Sequence, residues 1–583
     1  MGHRSLTSRR KFLKAVAYAA SVSALPALVS ACGGSPDASN PATSTTAPAA
    51  VPTAGVSAAA PTAAAAAVPT APAAVATADI KLLGAGWPFG PLPKSDAIAA
   101  DPGQKSYASA LQDWLDKNPG VSVEGTDLNI WDTQALVTAI SGGTAPAAYN
   151  ASTAGGYNQA ATFAAFKQGL FADITPLIEK YKITSRLADY AAAAVERTGQ
   201  VGGQYFTLPT EFSVYMGTHY RKDLVRELGL KEPQVGWTWD DFRVLIKGLT
   251  STKDKRKGVC LQKWAAGGMF DAHGFNLVSN VPAPEQGWHW AADYTSNPLW
   301  AKLAEGYREL MFKDQAILSD VALGDDDYAK AFGTGATGVM WNGIGFFTRP
   351  KTNAQTLLGL EEVTGKPIDE VVGFTELPRG TNGFYTNRAT GIGGPSFNPD
   401  LSPEALEKAF SLVDYLSYGE GRTIQAVGTW EATKDLKQVF QTALTPDGVT
   451  TFEGVPGSFE EAWGKNIAAS ARAVASIANP PDQANFFPAE KNPGPDTKAF
   501  DDMLSTVSSV ADGVDVNAEL KKAQDAKNQQ ITGFTSSTSA EDFKKSAQAF
   551  YAANDAFWQK NAPTFYADVY QPWYEKNVKP NIG

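Results

Sequence analysis

From Asp79 onward the apolar positions alternate between two periods. Asp79-Ile80-Lys81-Leu82-Leu83-Gly84 reads as a short strand running into a glycine turn that carries Trp87, Pro88 and Phe89. Ala110, Leu111, Trp114 and Leu115 then repeat at helical spacing until Asn118-Pro119-Gly120 breaks the run, and Val121-Ser122-Val123-Glu124 alternates as a half-buried strand. Trp237-Thr238-Trp239-Asp240-Asp241-Phe242 has the form of a helix start: Thr238 as N-cap, Asp241 closing the capping box, Trp237 stapled to Phe242. Phe242, Leu245, Ile246 and Leu249 follow on one face. Ser402-Pro403-Glu404 is a second start, with proline at the first helical position and Leu406, Phe410, Val413 and Leu416 as the stripe. Strands alternating with capped amphipathic helices predict an α/β body.

Upstream of that body the pattern vanishes. Residues 35–78 are Ala, Pro, Thr, Ser and Val with one charge, Asp37, so no face exists to bury and the prolines forbid a continuous helix. Such a stretch is a spacer. Ahead of it, Ser8-Arg9-Arg10-Lys11-Phe12-Leu13-Lys14 leads through an apolar run too short and too rich in Ala and Ser to span a bilayer, ending at Val29-Ser30-Ala31-Cys32. The Arg9-Arg10 pair resembles a twin-arginine export signal, and Cys32 stands where bacterial lipoproteins carry the lipidated cysteine. Residues 1–31 are thus expected to be removed, and residues 32–78 to tether the body outside the cytoplasm through a lipid anchor on the cell membrane.

Charge and cysteine count narrow the partners. Loss of the signal takes Arg4, Arg9, Arg10, Lys11 and Lys14 from 50 basic residues, leaving 45 against 60 acidic ones, which argues against nucleic acid. With Cys32 lipidated, Cys260 has no partner for a disulfide, a CxxC pair or a cysteine-based zinc site. The 14 Trp, 19 Tyr and 29 Phe supply flat apolar surface that fills a core or, on loops, stacks against sugar rings.

Most chemical motifs fail on context. Gly333-Thr334-Gly335-Ala336-Thr337-Gly338 satisfies GxGxxG, but a helical segment precedes it and strand-like Val339-Met340-Trp341 follows. A dinucleotide site needs the reverse order, so the glycines predict a helix-to-strand turn. Asp325-Asp326-Asp327 lacks the spacing of a calcium loop and suits a helix start before Tyr328. His219, His273 and His289 form no HExxH, and no GxSxG elbow occurs. No metal, cofactor or catalytic residue is therefore expected.

Several segments, in order, resemble the extracellular solute-binding proteins of ABC importers, specifically the carbohydrate-binding group that includes maltose-binding protein. They are Trp87-Pro88; Ser141-Gly142-Gly143-Thr144-Ala145-Pro146; Gly169-Leu170-Phe171-Ala172-Asp173-Ile174-Thr175-Pro176-Leu177; Tyr205-Phe206-Thr207-Leu208-Pro209; Tyr220-Arg221-Lys222-Asp223-Leu224; Phe332 to Gly343; and Val372-Gly373-Phe374 with Leu377-Pro378. The likeness extends over about residues 79–530. It departs at Pro146-Ala147, where the family often has Pro-Asp, in an insertion-like region around residues 260–300, and in the aromatic-rich residues 531–583, for which a helical extension packed on a lobe is expected.

The resemblance implies a two-lobed α/β fold of the periplasmic-binding-protein kind, with hinge strands and a ligand cleft between the lobes. Residues 79–212 with about 386–440 would form one lobe, and 213–385 with about 441–530 the other. It further implies a monomer, not an enzyme, that captures a carbohydrate, an oligosaccharide, and hands it to the permease subunits. Ligands in such sheets sit beyond the carboxyl ends of strands. That places Trp87, Trp131, Asp132 and Asn150 on one wall and Trp341, Asn342 and Phe346 on the other, with Glu211, Tyr215, Tyr385 and Trp430 completing the candidate set. Trp264, Trp288 and Trp290 are further candidates. A surface lipoprotein enzyme acting on polysaccharides is the alternative, because 60 acidic residues guarantee some carboxylate pair at glycosidase spacing; an adhesion module is a third. For the anchor, Cys32→Ala should release a folded body from membranes or block processing, and Arg9→Lys with Arg10→Lys should trap folded precursor inside the cell. Fractionation with a carbonate wash checks both, and a Cys32→Ala protein still integral to the membrane contradicts the anchor.

Overall fold

A computed structural model describes residues 79–582 except 87, 90–101, 156–158, 215–216, 262–269, 271–278, 284–286, 319–324, 344–358, 381–382, 385–389, 441–443, 478–479, 482–497 and 536–538. The signal, Cys32 and the spacer lie outside the described residues. The strands run β1 (Ile80–Gly84), β2 (Val121–Gly125), β3 (Ala148–Asn150), β4 (Gln200–Val201), β5 (Gln204–Tyr205), β6 (Glu211–Val214) and β7 (Gly217–Arg221). They continue with β8 (Lys257–Cys260), β9 (Ser279–Ala283), β10 (Gly287–Ala291), β11 (Ile317–Leu318), β12 (Thr337–Asn342), β13 (Val372–Thr375), β14 (Thr390–Gly393) and β15 (Pro395–Phe397).

The predicted helix starts form as their sequences dictate. Thr238 caps Trp239–Leu249 and Asp241 returns the bond to the Thr238 N–H at 2.9 Å, while the Trp237 and Phe242 rings meet edge to face at 5.9 Å between centroids. Ser402 caps Pro403–Tyr418 through the Ala405 N–H at 3.2 Å. The helix Asp325–Gly333 ends where the glycine motif begins, Gly335 takes a positive φ of 77°, and β12 follows, which is the helix-to-strand turn expected.

In the first lobe β1 pairs parallel with β2 and β3 pairs antiparallel with β15. The Ala147 N–H, donating to the Leu83 carbonyl at 2.8 Å, ties the two pairs together. Leu82, Trp114, Ile174, Leu208, Phe397, Phe410 and Val413 pack around this layer, with Pro102–Lys117 and Pro403–Tyr418 supplying helical cover.

The second lobe is built on a five-stranded sheet in the order β11-β8-β12-β7-β13. β7 runs antiparallel to both neighbours, whereas β8, β11 and β12 are mutually parallel. Every residue of β12 is buried, so both faces must be covered. Strand alternation divides the work: Val339 and Trp341 face a core with Trp239, Phe242, Trp300 and Phe500, and Met340 faces another with Phe332, Phe374 and Trp463. Close packing of β7 against the edge strand β13 requires glycine twice, because a Cβ at Gly373 would fall 2.1 Å from the Tyr220 ring and one at Gly217 would fall 2.2 Å from the Phe374 ring.

β6 and β14 pair antiparallel with each other alone, as a two-stranded ribbon apart from the five-stranded sheet, and are the strands expected to cross between the lobes. Beyond residue 498 the helices Lys498–Val507, Val516–Thr535, Ala540–Asn561 and Lys579–Ile582 return to the second lobe, where Leu504, Leu520, Ile531, Ala547, Val578 and Ile582 complete its first core. Within the described residues no helix is long and apolar enough to cross a membrane.

Trp341, expected on the cleft wall, is a core residue. It is 1% exposed, and its ring lies 4.8 Å from Phe242 and 5.9 Å from Trp239 between centroids. The physical reason is parity: at the penultimate residue of β12, an inward position on a sheet covered on both sides is filled by packing. Trp341→Ala should therefore cost about 3–5 kcal/mol of folding stability, read as a fall in Tm and in denaturant midpoint. A variant as stable as the parent contradicts this assignment.

Candidate functional site

The candidate site residues group at the carboxyl ends of strands. In the first lobe β2 ends at Gly125 and β3 at Asn150; in the second, β8, β12 and β13 end at Cys260, Asn342 and Thr375, and β7 starts at the same edge with Gly217.

On the first lobe, the loop after β2 carries Trp131, which is 50% exposed, and Asp132. The Trp131 N–H donates to Asn129 Oδ1 at 3.0 Å, and Asp132 caps the helix Thr133–Gly142 through the Ala135 N–H at 2.9 Å. Asn150 caps the single turn Ala151–Ala154, its Oδ1 accepting from the Thr153 N–H at 3.2 Å. Each cap fixes its side chain by one oxygen, leaving a second carboxylate oxygen on Asp132 and the amide nitrogen on Asn150 for other partners. Glu211 opens β6 at the root of the crossing ribbon, exposed, with its carboxylate over Gly393 of β14.

On the second lobe, Asn342 ends β12 and is 3% exposed. Its Oδ1 accepts from the Gly343 N–H at 2.8 Å, while its Nδ2 is buried with no hydrogen-bond partner among the described residues. An amide donor in that state costs about 1–3 kcal/mol, and an acceptor brought to the strand end would satisfy it. Trp430 sits apart from the strand ends, half-buried in the last turn of Glu420–Thr433 with the Lys434 ammonium 5.4 Å from its ring centre. Trp87, Tyr215, Phe346 and Tyr385 lie outside the described residues, as do Trp264 and the side chains of Trp288 and Trp290.

Sequence reasoning missed a buried polar group at this same edge. Glu376, 4% exposed, pairs with Arg379 at 3.1 Å and accepts from the Gly236 N–H at 2.5 Å, and its carbonyl accepts from Thr218 Oγ1 and Trp237 Nε1 at 3.1 and 2.9 Å. Burial raises the Glu376 carboxyl above the ordinary carboxylate range, against the pull of the Arg379 guanidinium. The pair ties β13 to the start of Trp239–Leu249, so its role is to fix the strand edge. A glutamate before Leu-Pro gave no signal of this, since the Gly236 N–H that its carboxylate receives comes from 140 positions away. Cys260 is buried at the end of β8, and burial pushes its thiol up, away from reactivity. No group of three or more His, Cys, Asp or Glu among the described residues could hold a metal ion.

Residues 96–417, just over half of the chain, match the sequence family described as bacterial extracellular solute-binding protein. A search of curated proteins found no match. Among solved structures the chain is similar to the ABC substrate-binding protein Lmo0181 from Listeria monocytogenes in complex with cycloalternan, at 19% identity over 73% of this chain and 96% of that one, with a TM-score of 0.46. An ABC transporter solute-binding protein from Agrobacterium radiobacter K84 in complex with ribitol aligns at 17% identity over 74% and 96%, with a TM-score of 0.49. The maltose/maltodextrin-binding domain MalE from Bdellovibrio bacteriovorus bound to maltotriose aligns at 15% over 74% and 97%, with a TM-score of 0.46.

The edge also carries a titratable group. His219 of β7 is fully buried, its Nε2 3.2 Å from the Asn342 carbonyl and 3.1 Å from that of Gly343, with the Phe332 and Phe374 rings beside it. Burial lowers its pKa from 6.5 to about 4, although the two carbonyls pull the other way. In the unfolded chain the imidazole takes up a proton near pH 6.5; in the folded one it does so only near 4. Between these values the unfolded state binds the extra proton, so stability is lost as pH falls through that window. Tm measured from pH 7 to 4 should fall more steeply for the parent than for His219→Gln. Parallel curves would refute the assignment.

Proposed function

Because the chain belongs to the bacterial extracellular solute-binding proteins, we propose that it captures a carbohydrate between its two lobes and delivers it to the permease of an ABC importer, working as a lipid-anchored receptor and not as an enzyme. The observation that carries this reading is the contrast between the two sets of strand ends. The first lobe offers an exposed tryptophan beside capped polar side chains, Trp131 with Asp132 and Asn150, and the second offers the buried, unsatisfied Asn342 Nδ2.

A sugar suits both. The apolar C–H face of a pyranose stacks on an indole, and its hydroxyls donate to carboxylates and accept from amides. Removal of a stacking face at the centre of a site weakens binding by roughly 1–3 kcal/mol, the scale of aromatic hot spots. Loss of one neutral hydrogen bond weakens it by about 0.5–1.5 kcal/mol. Hinge closure through the β6–β14 ribbon would bring the two sets together. Residues 1–31 as export signal and Cys32 as lipid site supply the location this role needs, and a monomer suffices because both walls come from one chain.

Titration calorimetry and tryptophan fluorescence against a panel of mono- and oligosaccharides and polyols test the assignment. Saturable binding is expected for at least one member, weakened about 5- to 100-fold by Trp131→Ala and about 2- to 10-fold by Asn342→Ala, with no turnover of labelled glycan. Absence of binding to every sugar, with tight binding of a peptide or metal instead, overturns the carbohydrate reading. Turnover of the glycan would favour the enzyme.

A further inference from the structure

The residues after 530 lie beyond the matched family segment, yet they reach the point where one crossing leaves the second lobe. After β13 the chain makes a closed turn, Gly380 N–H donating to the Phe384 carbonyl at 3.1 Å and Gly383 N–H to the Gly380 carbonyl at 2.8 Å, and the next described strand is β14 of the crossing ribbon. The Phe384 ring is held edge-on by two aromatic rings of the C-terminal segment, Phe565 at 5.8 Å and Trp573 at 5.4 Å between centroids. Gly383 takes a positive φ of 84° directly against Val569, where a Cβ would fall 2.9 Å from a valine methyl. Val569 lies in a π-helical turn, Tyr566–Tyr570, between Pro563–Phe565 and Gln571–Asn577.

The clamp is itself anchored. Trp558, Phe565 and Tyr570 form its buried floor together with Ile477 of the helix Lys465–Ile477, which packs on β13, and Val578 and Ile582 enter the core of the second lobe. We propose that the C-terminal helices are a hinge brace: they seat Phe384 between Phe565 and Trp573 and so fix the root of the β14 crossing to the second lobe. This rests on the reading of the β6–β14 ribbon as a hinge. Bending in such ribbons is absorbed by a few residues at element ends, and a turn held by packed aromatic rings is removed from that set.

Hydrogen exchange of the full chain, without any solute, tests the brace independently of what the protein binds. In Trp573→Ala the amides of residues 380–384, and with them those of β6 and β14, should exchange about tenfold faster or more while β7 and β12 keep their protection; Trp573→Phe should restore the parent pattern. Gly383→Ala attacks the same contact from the turn side without truncating the core, and should loosen the same two segments even if Trp573→Ala fails to fold. Ribbon protection unchanged while the turn loosens, or no change at the turn in Gly383→Ala, overturns the proposal. Failure to find a sugar ligand would leave this result standing.

Discussion

The constraint on which the second lobe depends is that its central strand has no solvent side. All six residues of β12 are buried, and so are all five of β7 beside it. A sheet in that position must be covered by helices on both faces, and the chain supplies them from distant places. The face bearing Val339 and Trp341 is closed by Trp239–Leu249 and Leu299–Arg308, and then by helices from residue 498 to the end. The opposite face is closed by Asp325–Gly333 and Lys465–Ile477. Arg308 shows how firmly the late helices are built in, since its guanidinium donates to the carbonyl of Val507, the last residue of Lys498–Val507, and to those of Val510 and Ala511 just beyond it. The C-terminal region therefore belongs to the core, although the family match stops at residue 417.

That arrangement explains what could be read from the sequence. The helix starts at Thr238 and Ser402 are local events, settled by a cap, a proline and a staple within six residues, and they form as written. The GxGxxG motif is equally local once the order of helix and strand is considered. Trp341 is different. Period-2 alternation says only that Val339 and Trp341 share a face, and both faces of this strand are interior. Which end of a strand opens on a cleft is decided by the sheet, not by the strand.

The polar edge was illegible for the same reason. His219 reads as an isolated histidine in a strand; its burial and its carbonyl partners exist only because β7 is inserted antiparallel between β12 and β13. Glu376 and Arg379 lie three residues apart, which suggests a surface pair, yet the carboxylate also receives the Gly236 N–H across the turn before Trp239–Leu249. Likewise Asn528 and Gln524 look like ordinary helix-surface amides. In the fold they satisfy the backbone after β10, Asn528 both donating to and accepting from Ala292 at 2.9 and 2.8 Å, and Gln524 accepting from the Tyr294 N–H at 2.8 Å. They join the insertion-like region around residues 260–300 to the helix Val516–Thr535, a connection across more than 200 positions that no local pattern announces.

The edge also shows how a well-determined core carries local cost. A buried amide donor without a partner, as at Asn342, carries a desolvation cost and persists only where the surroundings hold it in place. Here they do: Oδ1 is fixed by the Gly343 N–H, the strand is paired on both sides, and Trp341 one residue earlier is locked between Phe242 and Trp239. The rigidity of the sheet thus lets an unsatisfied group persist at its carboxyl end. Unsatisfied polarity held on a rigid element is what a binding wall requires, because the group does not relax onto a neighbouring partner before a ligand arrives.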